Sequence, residues 1–194
     1  MKQIHREEDF FCFLRKRSLL GLIYRRFYLY PRLVRYLDGV VLDIGCGIGD
    51  FVGYRPCTIG VDTNSQNIDY CRSRGLEVFH VNDASYPFPD HFFDGAIMDN
   101  VLEHLAEPFP ILAEVRRVLK PSATLIVGVP GIKGYAYLSD HKIYYDEKEL
   151  VCCLNEAKFH VNQVLHMPFK SRWLDKNMRQ YCLYGIFNLI VPKK

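Results

Sequence analysis

The sequence predicts a doubly wound α/β fold, in which a mostly parallel β-sheet is covered by helices on both faces. Beyond residue 39, short segments rich in β-branched residues alternate with segments of helical periodicity. The short segments are nearly apolar on both faces, as expected for strands that are covered on both sides. In folds of this class, ligands bind at the carboxyl ends of the strands, so the residues there are the first candidates for a site.

Seven segments of the chain are predicted to be strands. They are 40–45, 58–62, 76–83, 94–100, 123–130, 160–168 and 183–191. The predicted helices between them are 65–74, 109–119 and 146–157. Ser65 is the expected N-cap of the first helix, and two prolines introduce the second. Residues 51–57 alone separate a glycine-rich turn from the second strand, so any helix there has one or two turns at most.

The composition is that of an ordinary globular protein. The chain has 194 residues, of which 49% are hydrophobic and 24% charged, and this excludes a disordered polymer. Seven cysteines without a CxxC pair indicate neither a disulfide framework nor a zinc site. Residues 1–9 are too polar for a signal peptide, and the longest apolar run, 181–191, is too short to span a membrane. A reduced, cytoplasmic compartment is therefore expected.

Charge divides the chain into a basic beginning, an acidic middle and a basic end. Residues 1–37 carry 9 Lys/Arg and 3 Asp/Glu, residues 38–169 carry 10 and 18, and residues 170–194 carry 6 and 1. We predict that residues 1–37 form a basic amphipathic helical cap and that residues 38–194 form one globular domain. The basic ends suit peripheral contact with an anionic membrane, and they suit a solvated surface that only covers the sheet equally well.

The segment VVLDIGCGIGDF, residues 40–51, has the pattern of a strand followed by a tight turn into a helix. A phosphate-binding P-loop requires Lys and then Ser or Thr after its last glycine, whereas Asp50 and Phe51 follow Gly49 here. A dinucleotide site has the pattern GxGxxG, but Asp50 occupies the position of the third glycine. A carboxylate at that position would repel a pyrophosphate.

Three successive predicted strands end in an aspartate, and these acids favour a ligand with a cationic end. S-adenosylmethionine carries a sulfonium and an ammonium group and has no phosphate. Asp43 can meet the ammonium group, and Asp62, 17 residues past Gly45, can accept both ribose hydroxyls. Asp83 can accept the adenine amino group. The sequence therefore predicts S-adenosyl-L-methionine as the cofactor.

Five segments resemble, in order and spacing, the successive motifs of class I S-adenosylmethionine-dependent methyltransferases: VLDIGCGIGDF, GVDTN, VNDASYPFPD, FDGAIMDNVLEHLAEP and RVLKPSATLIVGVP. The subgroup that they resemble most is the small-molecule and lipid-modifying branch with a LEHL segment after the fourth strand. The resemblance covers roughly residues 38–160. It implies a Rossmann-like sheet of seven strands in which the last strand is antiparallel.

The resemblance also implies roles for individual residues. The methionine side of the pocket would be formed by Asp43, Gly45, Cys46 and Gly47. Asp62 would hold the ribose, Thr63 would lie beside the adenine, Asp83 and Ala84 would bind the adenine edge, and Asn100 would lie near the transferred methyl group. No metal ion is expected.

The loop after the fifth predicted strand faces the cofactor in this architecture, which makes His141 the first candidate for a general base. The expected activity is methyl transfer to a small-molecule, lipid-linked or glycan acceptor. Methylation of RNA or protein, and a non-catalytic S-adenosylmethionine-binding domain, are the alternatives. No known RNA-binding module is recognised, so nucleic acid is not the expected partner.

Overall fold

The protein, described here as a computed structural model for residues 7–82 and 85–190, contains one mixed β-sheet of seven strands. Side chains are described from residue 11 onward. The strands are β1 Val41–Ile44, β2 Thr58–Asp62, β3 Val78–His80, β4 Phe93–Asp99, β5 Leu119–Pro130, β6 Phe159–Met167 and β7 Cys182–Leu189. Their order across the sheet is β3-β2-β1-β4-β5-β7-β6.

The directions of the strands confirm the predicted sheet. The strands from β3 to β5 pair in parallel, whereas β7 is antiparallel to both β5 and β6. Each of the seven predicted strands exists, but β3 is shorter than its prediction and β5 begins four residues earlier. The chain order reverses at β1 and β4, which places a crevice at the carboxyl ends of these two neighbouring strands.

The helices follow the predicted pattern with local differences. They are α1 Glu7–Arg15, α2 Leu19–Tyr24, α3 Tyr30–Leu33, α4 Ser65–Ser73, α5 Phe109–Val118, α6 Ile132–Tyr135, α7 Glu147–Glu156 and α8 Arg172–Asn177. The predicted N-cap of α4 is wrong by one residue, because the side chain of Asn64 rather than Ser65 accepts the first backbone N–H groups. Residues 51–57 form turns with a single i→i+4 backbone bond at each of Gly53 and Arg55, as their short length predicts.

The N-terminal segment runs over the sheet as an almost continuous helical rod. Between α2 and α3 it forms one π-helical turn, Arg25–Leu29, just before Pro31. Proline has no N–H to bond the carbonyl of residue 27, so the regular α-helical bonding is interrupted there. Pro31 therefore changes the winding of the helix without ending it.

The N-terminal segment contributes to the hydrophobic core on one face of the sheet. Leu29, Tyr30 and Leu33 are buried in a cluster with Val41 and Ile97 of the central strands. The other face is covered by α5 and α7, whose apolar sides pack in a second, larger cluster. Among the described residues, no helix is both long and apolar enough to cross a membrane.

Candidate active site

Two adjoining cavities lie at the carboxyl ends of β1, β2 and β4. The larger has a volume of about 410 Å³ and the smaller about 250 Å³, and Gly45, Asn100 and His104 border both. Residues of the N-terminal helices, among them Leu14 and Arg25, form one wall of the larger cavity. A ligand can therefore extend from one cavity into the other past the glycine turn.

The glycine turn after β1 requires conformations that other residues rarely adopt. Gly45 has φ +67°, and a Cβ there would overlap the side chain of Val101. A positive φ and a close neighbour together exclude any other residue at this position without rearrangement. The backbone of the turn is thereby exposed to the cavity, where a ligand can approach it closely.

Asp62, at the end of β2, holds this turn from the side of the smaller cavity. Its Oδ2 accepts a hydrogen bond from the N–H of Gly47 at 2.7 Å, and its Oδ1 accepts one from the N–H of Asn64 at 2.8 Å. Burial raises the pKa of the Asp62 carboxyl, and these donated hydrogen bonds oppose the rise. An ionised carboxylate can accept further hydrogen bonds, so hydroxyl donors of a ligand can still bind it.

Asp43, near the end of β1, is a buried carboxylate on the wall of the larger cavity. It is 4% exposed, and within the described ranges it makes no hydrogen bond or ion pair. Burial raises its pKa well above the ordinary value, and the nearby Asp99, Asp62 and Asp50 raise it further. A carboxylate in this situation is stabilised by a cationic ligand more than by any group already present.

The end of β4 carries a network that joins three parts of the chain. Asp99 accepts hydrogen bonds from Arg25 at 2.6 Å, from the side chain of Asn100 at 2.7 Å and from the hydroxyl of Tyr184 at 2.8 Å. Asn100 has φ +57°, which turns the chain away from the strand and towards both cavities. A second ion pair, between Arg17 and Asp50, joins the N-terminal segment to the glycine turn.

Three further ionisable side chains meet at the opposite wall of the larger cavity. His141 Nδ1 lies 2.7 Å from the carbonyl oxygen of Tyr135. Because a carbonyl only accepts, Nδ1 carries the hydrogen, and Nε2 of the neutral ring carries a lone pair. Nε2 lies 3.9 Å from Glu103, whose pKa burial raises well above its ordinary value. His104 lies beside both, and burial lowers its pKa.

Most of the predicted site residues lie at the two cavities. Those that line a cavity are Asp43, Gly45, Cys46, Gly47, Asp62, Thr63, Asn100 and His141. Asp83 and Ala84 lie outside the described residues. Sequence reasoning missed Arg17, Arg25 and Tyr184, because they reach the site from segments far away in the chain. It named Glu103 only as part of the LEHL segment, and a buried acid beside two histidines was the signal overlooked.

Comparison with known proteins identifies the fold. Residues 42–127 match the family described as a methyltransferase domain. The chain superimposes on a S-adenosylmethionine-dependent methyltransferase from Aquifex aeolicus with a TM-score of 0.72, covering 96% of this chain and all of that one at 21% identity. The protein therefore has the class I methyltransferase fold, and S-adenosyl-L-methionine is the cofactor of this domain.

Relatives of known name resemble only part of this chain. A fatty-acid O-methyltransferase of Mycolicibacterium smegmatis is 33% identical over 150 residues, which is 71% of this chain and 50% of that protein. A tRNA (carboxymethyluridine(34)-5-O)-methyltransferase of Arabidopsis thaliana is 32% identical over 114 residues, 54% of this chain and 28% of that protein. The chain thus spans half or less of the length of these two relatives.

Proposed function

We propose that this protein is a S-adenosylmethionine-dependent methyltransferase whose cofactor extends across both cavities. The observation that carries the proposal is the buried Asp43 carboxylate, which has no partner among the described residues and faces the larger cavity. The α-ammonium group of the cofactor supplies the missing positive charge. The sulfonium adds a second, and the surrounding acids Asp50 and Asp99 make this cavity favourable for cations.

The remaining parts of the cofactor have matching residues around the glycine turn. We assign the ribose hydroxyls to Asp62 and the adenine to the smaller cavity beside Thr63, with Asp83 and Ala84 at its edge. The methionine portion passes Gly45, Cys46 and Gly47, and its methyl group lies near Asn100. This arrangement follows the order in which these residues line the two cavities.

The reaction is an in-line displacement at the methyl carbon. A lone pair of the acceptor forms the new bond to carbon, the electrons of the S–CH₃ bond go to sulfur, and an acceptor hydroxyl loses its proton. Since the cofactor is already activated, the protein contributes alignment and exclusion of water. The N-terminal wall of the cavity serves the second task. His141 Nε2, with its lone pair directed into the cavity wall, assists removal of the proton.

We propose a small-molecule, lipid-linked or glycan acceptor. The LEHL segment and the likeness to a fatty-acid O-methyltransferase support it. A tRNA acceptor is the second candidate, because a tRNA methyltransferase is similar to a shorter stretch of the chain. A titration of methyl transfer from labelled cofactor to fatty acids, glycolipid extracts and bulk tRNA separates the two. Label in tRNA alone would overturn the lipid assignment.

A cytoplasmic protein that touches a membrane peripherally fits the surface of the N-terminal helices. Leu19, Leu20 and Phe27 are each more than 70% exposed, and they lie on the same basic segment as Arg26. Exposed apolar side chains among cations are the pattern of an interfacial helix on anionic lipid. A lipid-linked acceptor would then enter the cavity from the side that these helices border.

The experiment that tests the proposal is calorimetric titration of the full chain with S-adenosylhomocysteine and, separately, with NADH. Asp62→Ala is compared with the unchanged protein, and His160→Gln, on the exposed side of β6, is the control. Micromolar binding of S-adenosylhomocysteine alone, lost in Asp62→Ala and kept in the control, is the expected result. Absence of binding by the unchanged, folded protein, or preference for NADH, would overturn the proposal. Binding without transfer to any acceptor class would indicate a non-catalytic binding domain.

A further inference from the structure

Glu103 is the least explained side chain in the protein. It is 1% exposed, and neither of its carboxyl oxygens has a hydrogen-bond partner among the described residues. A buried carboxyl group without partners is unfavourable by several kcal/mol whichever oxygen is considered, so native proteins rarely retain one without a ligand. The backbone around it is well satisfied, since its own carbonyl accepts hydrogen bonds from the N–H groups of Lys142 and Ile143. The unsatisfied part is therefore the side chain alone.

Two imidazole rings point a nitrogen at this carboxyl group. Nε2 of His141 lies 3.9 Å from Glu103 Oε1, and Nε2 of His104 lies 4.0 Å from the same oxygen. These distances are too long for hydrogen bonds. The two rings meet edge to face with their centroids 4.6 Å apart. Each of the three residues offers a ligand atom within 4.8 Å of those of the other two.

The far nitrogen of each ring is held by an oxygen. His104 Nδ1 lies 3.1 Å from Oδ2 of Asp140, and His141 Nδ1 lies 2.7 Å from the carbonyl oxygen of Tyr135. In metal sites, a ligating histidine almost always donates its other ring N–H to a carboxylate or a carbonyl, which fixes the tautomer and the ring orientation. Both histidines here have that support, and it leaves Nε2 of each ring facing Glu103.

We propose that Glu103, His104 and His141 bind a divalent transition-metal cation at the wall of the larger cavity. With bonds of about 2.1 Å, two ligand atoms of one cation lie at most about 4.2 Å apart. The two separations from Glu103 Oε1 meet that limit, and the third pair of ligand atoms needs to close by about half an ångström. Two imidazoles and one carboxylate suit Zn²⁺, Mn²⁺ or Fe²⁺ better than Mg²⁺, which prefers oxygen ligands alone.

The site would act on the methyl acceptor, and this part of the inference rests on the proposed function. Three protein ligands leave coordination positions open towards the cavity. An acceptor oxygen bound there loses its proton to water at a lowered pKa and attacks the methyl carbon, and the S–C bonding electrons pass to sulfur. The lone pair of His141 Nε2 then goes to the cation, so His141 assists proton removal through the metal. An oxygen acceptor is thereby favoured.

Cation binding is measured on the full chain, freed of metal by dialysis against a chelator, without cofactor or acceptor. Mn²⁺ is titrated by electron paramagnetic resonance, in which bound Mn²⁺ loses the signal of the free aqueous ion. Zn²⁺ and Mg²⁺ follow as competitors. Unchanged protein should bind one Mn²⁺ that Zn²⁺ displaces and Mg²⁺ does not. Glu103→Gln should weaken binding at least 100-fold, and Asp140→Asn about 10- to 100-fold.

The matched control is His166→Gln. His166 also pairs with a glutamate, Glu147, at 3.1 Å, but on the outer part of the sheet. It should bind Mn²⁺ as the unchanged protein does. No stoichiometric Mn²⁺ binding, unaffected binding in Glu103→Gln, or equal loss in His166→Gln would overturn the site. S-adenosylhomocysteine titration of each variant shows that it is folded. Loss of S-adenosylhomocysteine binding in the unchanged protein, with Mn²⁺ bound, would overturn the proposed function and leave the cation site standing.

Discussion

Arg25 of the N-terminal segment and Asp99 at the end of β4 form an ion pair of 2.6 Å across 74 positions of the chain. Both side chains are largely removed from water, and Tyr184 donates to the same carboxylate. The pair fixes the N-terminal helices against the strand end that borders the cofactor cavity. It thus links the shape of the cavity to a segment outside the residues that match the methyltransferase family.

Removing the cation of this pair should destabilise the protein and loosen the cavity. We expect Arg25→Ala to lower the free energy of unfolding by about 1.5–3 kcal/mol, because Asp99 loses a charged hydrogen-bond donor. S-adenosylhomocysteine affinity should fall as well. Urea denaturation and calorimetry measure the two effects. Arg26→Ala, at the neighbouring exposed position, should stay within about 0.5 kcal/mol of the unchanged protein. Equal effects of both substitutions would show that the ion pair contributes nothing specific.

Gly45 and Gly75 separate the effect of positive φ from the effect of crowding. Gly45→Ala places a Cβ against Val101, whereas a Cβ at Gly75, with φ +74°, meets nothing within 4 Å. Gly75→Ala should therefore cost only the conformational term, about 1–2 kcal/mol, and keep S-adenosylhomocysteine binding. Gly45→Ala should cost more and abolish binding. Thermal unfolding and calorimetry test this, and normal binding by Gly45→Ala would remove the turn from the cofactor site.

Asp43 should favour the cofactor and disfavour the empty fold. Its pKa is raised in the folded protein, from about 3.9 in an unfolded chain. Between these two values the folded state binds more protons than the unfolded state, so Asp43 makes the cofactor-free protein less stable as pH rises through that window. Asp43→Asn should therefore raise the melting temperature by a few degrees, at about 2–4 °C per kcal/mol, while weakening S-adenosylhomocysteine binding.

Binding at Asp43 should also release a proton wherever the empty site is protonated, because the ammonium group of the ligand favours the carboxylate. Asp50, Asp62 and Asp99 face the same space, and Arg17 and Arg25 neutralise part of their charge. Calorimetry in two buffers of different ionisation enthalpy counts the protons. Release should decrease in Asp43→Asn. Identical proton counts for the two proteins would exclude Asp43 as the ammonium partner.

The proposed membrane contact predicts selective loss of lipid binding. Leu20→Glu combined with Phe27→Glu should abolish sedimentation with vesicles of mixed neutral and anionic phospholipid, because both side chains are exposed on the basic segment. Phe109→Glu, at the start of α5, is the control and should sediment normally. These substitutions are preferable to truncation of residues 1–30, which would remove the buried Leu29 and Tyr30. Equal sedimentation of all variants would count against the contact.

The sequence by itself determined the sheet and the acids at its edge. The strand segments are short and apolar, and Asp43 and Asp62 each come at the end of one. The carboxyl ends of parallel strands meet at one edge, so residues in these positions converge whatever the details of packing. Local chemistry also fixed the glycine turn, since positive φ and close approach require glycine wherever such a turn occurs.

Only the tertiary structure decided which distant side chains complete the site. Arg25 reaches Asp99, and His141 reaches Glu103, because helices and loops docked in particular places on the sheet. The helices α6 and α8, each of six residues or fewer, were also not predicted. Periodicity and turn chemistry act over a few residues, whereas docking depends on the summed packing of many side chains. The acids at the strand ends are therefore visible in the sequence, and their partners appear only after folding.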